Sequence, residues 1–342
     1  MTSLGITINA PLDELPALAQ RAEAGGVDAL WVAETDRTAI IQAVVVAQAT
    51  ERVQVGTNIS LAFPVAPAAQ AMLAWDVGEL SGGRFTMGLG SQVKRIITDR
   101  FGVEFSPAAA RMREYVQAMR STWAFHRGEP DAAFEGEHYH VRHPGVTGGG
   151  AAAGSELEIP VYVAAVGPLM VAGAAAVADG ILGHPFTSDR YIEHVVQPRI
   201  AEGLEAADRD RADFKLAQGA MIAVSEDGTQ AREWAKQQIA FYGTTPNYKG
   251  VFESYGDGHL TDELRAVFKA DRGNVDALRA AVPESAVDRY AVAGTPDEVA
   301  DQLASMSHLA DHWVVGGPWY LMTPEEAEAN LIATLDTLAP LA

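Results

Sequence analysis

Cysteine is missing from all 342 residues. Its absence excludes disulfide scaffolds, iron–sulfur clusters, thiolate zinc sites and cysteine nucleophiles together. Positive charge is scarce: 25 Lys+Arg stand against 45 Asp+Glu, a formal net charge of −20. Nucleic acid and anionic membranes both need a basic face, so neither is an expected partner. Long apolar runs are missing too. The longest stretches, Ala39–Ala49 and 171–178, fall well short of a spanning helix. The first residues, Met-Thr-Ser-Leu-Gly-Ile-Thr-Ile-Asn, carry no basic segment and no long apolar core, so no signal peptide is expected and the cytoplasm is the expected location. What remains is 48% hydrophobic and 20% charged, which excludes a disordered chain and fits an enzyme with a sizeable core.

Short β-like runs alternate with helical patterns along the whole chain. Residues 4–8 read as a strand and 13–24 as a helix with Leu15, Leu18 and Ala22 on one face, ended by Gly25-Gly26. Strands follow at 29–33, 53–60, Phe85–Gly90, Val161–Ala165, 180–182, Lys215–Val224 and 312–315. Helices are expected at Ala39–Ala49, Pro67–Leu80, 108–125, 169–178, 190–207, 229–242, Pro296–Met306 and Pro324–Leu338. Two stretches lose the period. One is 127–159, with Gly148-Gly149-Gly150-Ala-Ala-Ala-Gly154 in its middle; the other, 243–289, reads as two short helices broken by Gly256, Gly258 and Pro283. Loops of that length inside a compact fold are functional or disordered. Eight strands, each followed by a helix, predict a parallel sheet closed into a single (β/α)8 TIM barrel of the α/β class, with insertions at 127–159 and 243–289. A doubly wound open sheet is the alternative. No repeat is visible at the level of residues.

The active site of such a barrel lies at the C-terminal strand ends. The residues there are Asn9, Glu34-Thr35-Asp36-Arg37, Asn58-Ile59-Ser60, Gly90-Ser91-Gln92, Val166-Gly167-Pro168, His184-Pro185-Phe186, the stretch after Val224, and Gly317-Pro318-Trp319. Small and hydrogen-bonding residues dominate, a mixture better suited to cofactor binding by backbone amides than to hydrolysis. Gly88-Leu-Gly90 continues with Ser-Gln-Val and is neither a dinucleotide fingerprint nor a Walker loop, and no G-x-S-x-G elbow occurs. His138, His140 and His143 have no carboxylate or Cys partner at a diagnostic spacing, so an incidental loop is expected and no metal site. Lys94-Arg95 with Arg100 is either a solvated helix face or an anion site.

Several of these segments carry a resemblance. The run Ser81-Gly-Gly-Arg84-Phe-Thr-Met-Gly-Leu-Gly90-Ser-Gln-Val-Lys94 resembles the luciferase-like monooxygenase superfamily. Gly-Leu-Gly-Ser-Gln-Val-Lys, Arg100-Phe-Gly102 and Ser106-Pro-Ala-Ala-Ala-Arg111-Met-Arg-Glu-Tyr115 are similar to its branch that uses the deazaflavin coenzyme F420. Pro160-Val-Tyr-Val-Ala-Ala-Val-Gly-Pro168, Ala178-Asp-Gly180 and Gly294-Thr-Pro-Asp-Glu-Val-Ala300 fit the same family, so the likeness spans nearly the whole chain.

The resemblance implies an oxidoreductase with a flavin-like ring lying across the barrel mouth. It implies a non-proline cis peptide at Asn58-Ile59 under the ring, phosphate contacts from Gly90, Ser91 and Gln92 and from Val166 and Gly167, and contacts from Lys94 and Arg95 to the tail carboxylates. Amides of glycine-rich turns bind anions without a positive protein, which reconciles an anionic cofactor with a charge of −20. One departure stands out: relatives often carry a His shortly after a Glu-Thr pair, and Arg37 falls there. A guanidinium stays charged and can orient an anion but cannot shuttle a proton. The general acid is then sought in Glu34, Asp36 or His184. Glu34 could equally be a structural carboxylate and His184 a capping residue. Phe186 and Trp319 are expected to wall a substrate pocket or cover the rim. Hydride transfer to or from a small organic substrate is the main expectation. An FMN-dependent monooxygenase and a non-catalytic deazaflavin carrier are the alternatives. The resemblance also implies a homodimer, to which the apolar helix Ala39–Ala49 is suited.

Overall fold

The computed structural model describes residues 3–129, 131–144 and 155–341. Eight parallel strands pair in a ring: β1 (Ser3–Thr7), β2 (Ala29–Val32), β3 (Gln54–Thr57), β4 (Phe85–Gly90), β5 (Val161–Ala165), β6 (Gly180–Gly183), β7 (Lys215–Val224) and β8 (His312–Gly316). β8 pairs with β1 from Ser3↔His312 to Ile6↔Val315, and β6 pairs with β7 from Lys215↔Gly180 to Gln218↔Gly183. The ring therefore closes, and the open-sheet alternative falls. Outside it lie α1 (Leu15–Ala24), α2 (Ala39–Ala49), α3 (Pro67–Leu80), α4 (Ala108–His126), α5 (Pro168–Val177), α6 (Gln197–Ala206), α7 (Gly228–Gly243) and α8 (Pro324–Leu338). This is a (β/α)8 barrel.

Local chemistry accounts for many boundaries. Helices Pro296–Met306 and α8 both start with Thr at the N-cap, Pro next and Glu two residues later, and in each the Thr and Glu side chains satisfy one another's backbone amides. Gly82 and Gly83 take positive φ of 64° and 84°, which turns the chain out of α3 into β4. Arg84 then reaches back to the C-terminal end of α2, donating to the carbonyls of Ala47 and Thr50 at 3.0 Å each and to that of Val53 at 2.8 Å. These are the orphan acceptors every helix end leaves, and a cation suits that end of the dipole. The Ser-Gly-Gly-Arg run is thus a turn plus a helix cap.

The barrel is a packed core. Trp31, Leu182, Ala217 and Val314 fill it, with Ile59 and Tyr162 against them. At its floor the Trp31 indole donates to Nε2 of His312 at 3.2 Å, so Nδ1–H of that ring donates to Ser3 Oγ at 2.8 Å. Burial pushes the His312 pKa down to about 4.

A repeat does exist, and it is structural. Asp28, Asp179 and Asp311 each stand just before an even-numbered strand. Their carboxylates accept the amides of Leu4, Val161 and Leu216, the first or second residue of the preceding barrel strand, at 2.7, 2.8 and 2.7 Å. Their own amides donate to the carbonyls of the same three residues.

The strand expected over 53–60 is divided. β3 ends at Thr57, the Asn58–Ile59 peptide is cis, and pairing resumes with Ser60–Leu61 against Leu89 and Gly90 of β4. β7 outlasts the ring and takes an extra strand, Val292–Gly294, that the sequence pattern does not announce. In place of two short helices, 243–289 carries Lys249–Glu253, Leu260–Ala270, Val275–Ala280 and most of Glu284–Tyr290. The described part of 127–159 holds a small hairpin, Phe134–Glu135 with His140–Val141; the glycine run at 148–154 lies outside the described residues. Among the described residues no helix is long and apolar enough to cross a membrane.

Candidate active site

Four adjacent strand ends, those of β2 to β5, make one half of the mouth. Glu34 follows β2. Its amide donates to the Ile59 carbonyl at 3.0 Å, and its Oε2 accepts the Leu61 amide at 3.1 Å and the Ser60 hydroxyl at 3.2 Å. A carboxylate taking two donors is an acceptor, so the hydrogen bonds favour the structural reading of Glu34 over the acid reading. The next neighbour, β4, meets this bulge with glycines, Gly88 and Gly90, on either side of the buried Leu89. A Cβ on Gly90 would overlap Cδ1 of Ile59, and one on Gly88 would overlap the Thr57 carbonyl. The mouth is left with a flat, small-residue wall here.

Beyond Gly90 the chain turns through Gln92, a non-glycine residue at φ 53°, whose side chain accepts the Val93 amide at 2.9 Å. Ser91 and Gln92 are half-buried, and Lys94 and Arg95 are exposed on the helical turn that follows, with Arg95 3.5 Å from Asp99. Arg37 sits on the rim 3.9 Å from Asp36. The Thr35 hydroxyl, then the charges of Arg37 and Arg100, hold the Asp36 carboxyl below its usual value. The structure thus gathers Arg37, Asp36 and Arg100 at one edge. A carboxyl held low in this way favours its ionised form, so Asp36 does not suit the role of general acid.

After β5, Val166 is anchored by the Tyr191 hydroxyl, which donates to its carbonyl at 3.0 Å. Gly167 opens on empty space and heads α5. Beside it lies a cavity of about 420 Å³ between Pro168, Tyr191, His194 and Gly250. Nothing in the sequence pattern points to Tyr191, because its partner is a backbone carbonyl on another strand end.

The other half of the mouth, at β6 and β8, is aromatic. His184 continues the inward side of β6, two residues beyond Leu182. Burial pushes its pKa down to about 3, so it is neutral near pH 7 and no imidazolium is present to act as a general acid. Trp319 is 53% exposed, its ring edge-on to Phe241 at 5.0 Å. Phe186 corrects its expected place. It is fully buried, with Tyr242, Tyr248, Phe252 and Tyr290 around it, and so backs the aromatic wall from the core without facing a pocket. The three histidines of 138–143 part company. His140 pairs with Glu135 at 2.9 Å, His143 stacks on Phe125 at 4.0 Å, and the His138 amide is held by Glu114 at 2.6 Å.

Comparison with known proteins adds the following. A model of the luciferase-like monooxygenase family matches residues 2–312. An uncharacterized protein of Mycobacterium tuberculosis is 35% identical over 82% of this chain and 83% of its own. A putative coenzyme F420-dependent oxidoreductase of the same organism is 30% identical over 75% of this chain and 76% of its own. Among solved structures, the coenzyme F420-dependent tetrahydromethanopterin reductase from Methanopyrus kandleri superposes with a TM-score of 0.81 over 99% of this chain and 97% of that one, at 21% identity, a likeness of fold.

Proposed function

The chain belongs to the luciferase-like monooxygenase family, and on that premise we propose that it is a cytoplasmic oxidoreductase that binds coenzyme F420 across the barrel mouth and acts on a small organic substrate by hydride transfer. The observation that carries this reading is the series of small-residue strand ends from β3 to β5. The relative named as a putative coenzyme F420-dependent oxidoreductase, 30% identical, supports it.

The residues present fit such a group. Gly88 and Gly90 let the Asn58–Ile59 bulge sit directly against β4, since a Cβ on either glycine would overlap the Thr57 carbonyl or the Ile59 side chain, and a flat ring would lie against that bulge. The anion donors are of the right kind, with the Ser91 hydroxyl and the amides of 91 and 92 on one loop and the Gly167 turn at the head of α5 on the next. When bound, the deazaflavin supplies a two-electron hydride at a single carbon. The chain's own residues bind and orient. Glu34 holds the Ile59–Leu61 segment, Ser91, Gln92, Val166 and Gly167 meet the phosphate side, and Lys94 and Arg95 meet the tail carboxylates. Arg37, always charged, can orient an anionic group at the rim. Bringing two reacting carbons within about 3–3.5 Å and excluding water is the remaining task.

The same reading includes a homodimer through the outer faces of α2 and α3. Ile41, Met72, Leu73 and Leu80 are 53%, 55%, 40% and 50% exposed there, and α2 has no charged residue. Parallel fluorescence titrations with coenzyme F420 and with FMN test the cofactor. Micromolar or tighter F420 binding with weak FMN binding is expected; the reverse order replaces this function by an oxygen-using FMN monooxygenase.

A further inference from the structure

His184 is locked in one tautomer. The Phe186 amide N–H donates to its Nδ1 at 3.0 Å, so the ring proton is on Nε2, and Nε2–H donates to the Tyr248 hydroxyl oxygen at 2.9 Å. The two rings stack with centroids 4.4 Å apart and planes at 27°, and Tyr242 closes edge-on to His184 at 4.8 Å. Tyr248 has thus accepted a hydrogen bond and keeps an O–H proton for which the described residues offer no acceptor. Burial raises the Tyr248 pKa, which keeps that proton in place at every physiological pH.

The pair sits at the mouth. Leu182, on the same side of β6, packs inside the barrel, and His184 is the next inward position toward the C-terminal end. Tyr248 is half-buried and stacks over it, at the same end of the barrel. A dyad of this kind offers a neutral donor and no cation, which selects a neutral acceptor oxygen over a carboxylate or phosphate. The rings around it (Tyr242, Tyr248 and, at the rim, Trp319) suit a flat or alicyclic skeleton.

We propose that Tyr248 donates a hydrogen bond to the carbonyl oxygen of the substrate, that His184 is the positioning residue that aims it, and that the substrate is an aromatic or alicyclic ketone or aldehyde. This rests on the oxidoreductase reading, which it deepens by naming the substrate class. The sequence hides Tyr248, since it lies in the stretch without readable period.

The test uses full-length protein with acetophenone and cyclohexanone as probes, with and without coenzyme F420. Infrared difference spectra read the bound C=O stretch, and F420 fluorescence is followed in the same samples. Wild-type protein is expected to shift the stretch to lower wavenumber. Tyr248→Phe, which keeps the ring stack, loses the shift and binds about tenfold more weakly, as one hydrogen bond predicts. His184→Asn leaves a smaller shift, a change that mere packing damage does not produce. A full shift in Tyr248→Phe overturns the assignment of the donor. Failure of both ketones to bind overturns the substrate class. Failure of F420 alone to bind overturns the F420-dependent reading and leaves the Tyr248 result standing on the cofactor-free samples.

Discussion

The Glu34 carboxylate, at the end of β2, accepts the amide of Leu61 at 3.1 Å, on the far side of the Asn58–Ile59 bulge. One side chain therefore links the second strand end to the place where pairing with β4 resumes. Replacing it separates positioning from acid chemistry. Glu34→Gln keeps an acceptor oxygen, so F420 affinity and folding are expected to change little. Glu34→Leu strands the Leu61 amide and the Ser60 hydroxyl, each at a cost of about 1–3 kcal/mol. We expect F420 binding at least tenfold weaker in Glu34→Leu, read by fluorescence titration. If Gln proves as damaging as Leu, the charge itself acts at the site.

Gly90 tests the flat wall from the opposite strand. A methyl group there overlaps Cδ1 of Ile59 inside a packed neighbourhood, and overpacking of this kind costs about 1–3 kcal/mol. Gly90→Ala should lower the urea midpoint and weaken F420 binding together, because Ile59 is displaced toward the ring space. Gly167→Ala is the contrast in stability alone, since nothing lies within 4 Å of a Cβ there. A Gly90→Ala protein with normal affinity for F420 would remove the wall from the binding site.

The aspartates before β2, β6 and β8 predict a stability effect remote from the mouth. Asp179 accepts the Val161 amide at 2.8 Å and pairs with Arg120 at 2.7 Å. Asp179→Ala leaves a strand amide at the barrel floor without its acceptor, for an expected loss of about 1–3 kcal/mol in urea unfolding. Cofactor affinity should be unchanged in the folded protein. An unaltered midpoint would mean that water replaces the carboxylate without loss.

Much of this architecture is legible in the sequence, because a strand buried on both faces and a helix with one apolar face differ in period. Helices α2 and α3 and strands β4, β5 and β7 begin and end where that period says. The division of 53–60 is not legible, since Val, Ile and Leu alternate across it regardless of one peptide's geometry. The aspartate repeat escapes for a different reason: Asp311 bonds a residue 95 positions earlier, and no local window spans that distance. At the site, glycine and small polar residues mark the β3, β4 and β5 ends. The aromatic half is hidden, because Tyr248 meets His184 only once the stretch after α7 folds back over β6, where Tyr242 of α7 closes on the same ring. Phe186 reads as a rim residue from its position, yet Tyr242, Tyr248, Phe252 and Tyr290 bury it.

The exposed apolar faces of α2 and α3 predict self-association. A stable dimer needs about 800 Å² from each partner, and Ile41, Met72, Leu73 and Leu80 give it an apolar centre. The wild-type protein should sediment as a dimer. Met72→Glu with Leu73→Glu should sediment as a monomer that still binds F420, since neither residue lies at a strand end. A dimer that survives both charges places the contact on another face.

Stability should fall in mild acid, and the sign follows from two enclosed histidines. Burial holds His312 at about 4 and His184 at about 3, whereas an unfolded chain titrates them near about 6.5. Between those limits the unfolded state binds protons that the folded state refuses. The stability they contribute is present above about pH 6.5 and is lost as the pH falls, by up to about 1.4 kcal/mol per pH unit for each group. His126 and His143, also lowered by burial, act in the same sense. Glu23, Glu114 and Glu298 have lowered pKa values, so the stability they contribute begins to be lost only as the pH enters the ordinary carboxylate range, below about pH 5, which leaves pH 6.5 to 5 to the histidines. Relief of the −20 charge opposes the trend, and added salt screens that long-range part. Urea unfolding at pH 7.5 and 5, in high salt, is expected to show the drop. In His312→Gln, where an amide oxygen can still accept the Trp31 indole N–H, the slope should be shallower by up to one proton. Equal slopes in the two proteins would mean that the barrel floor admits a charged imidazole, against the enclosure that Trp31, Tyr162 and Val314 give it.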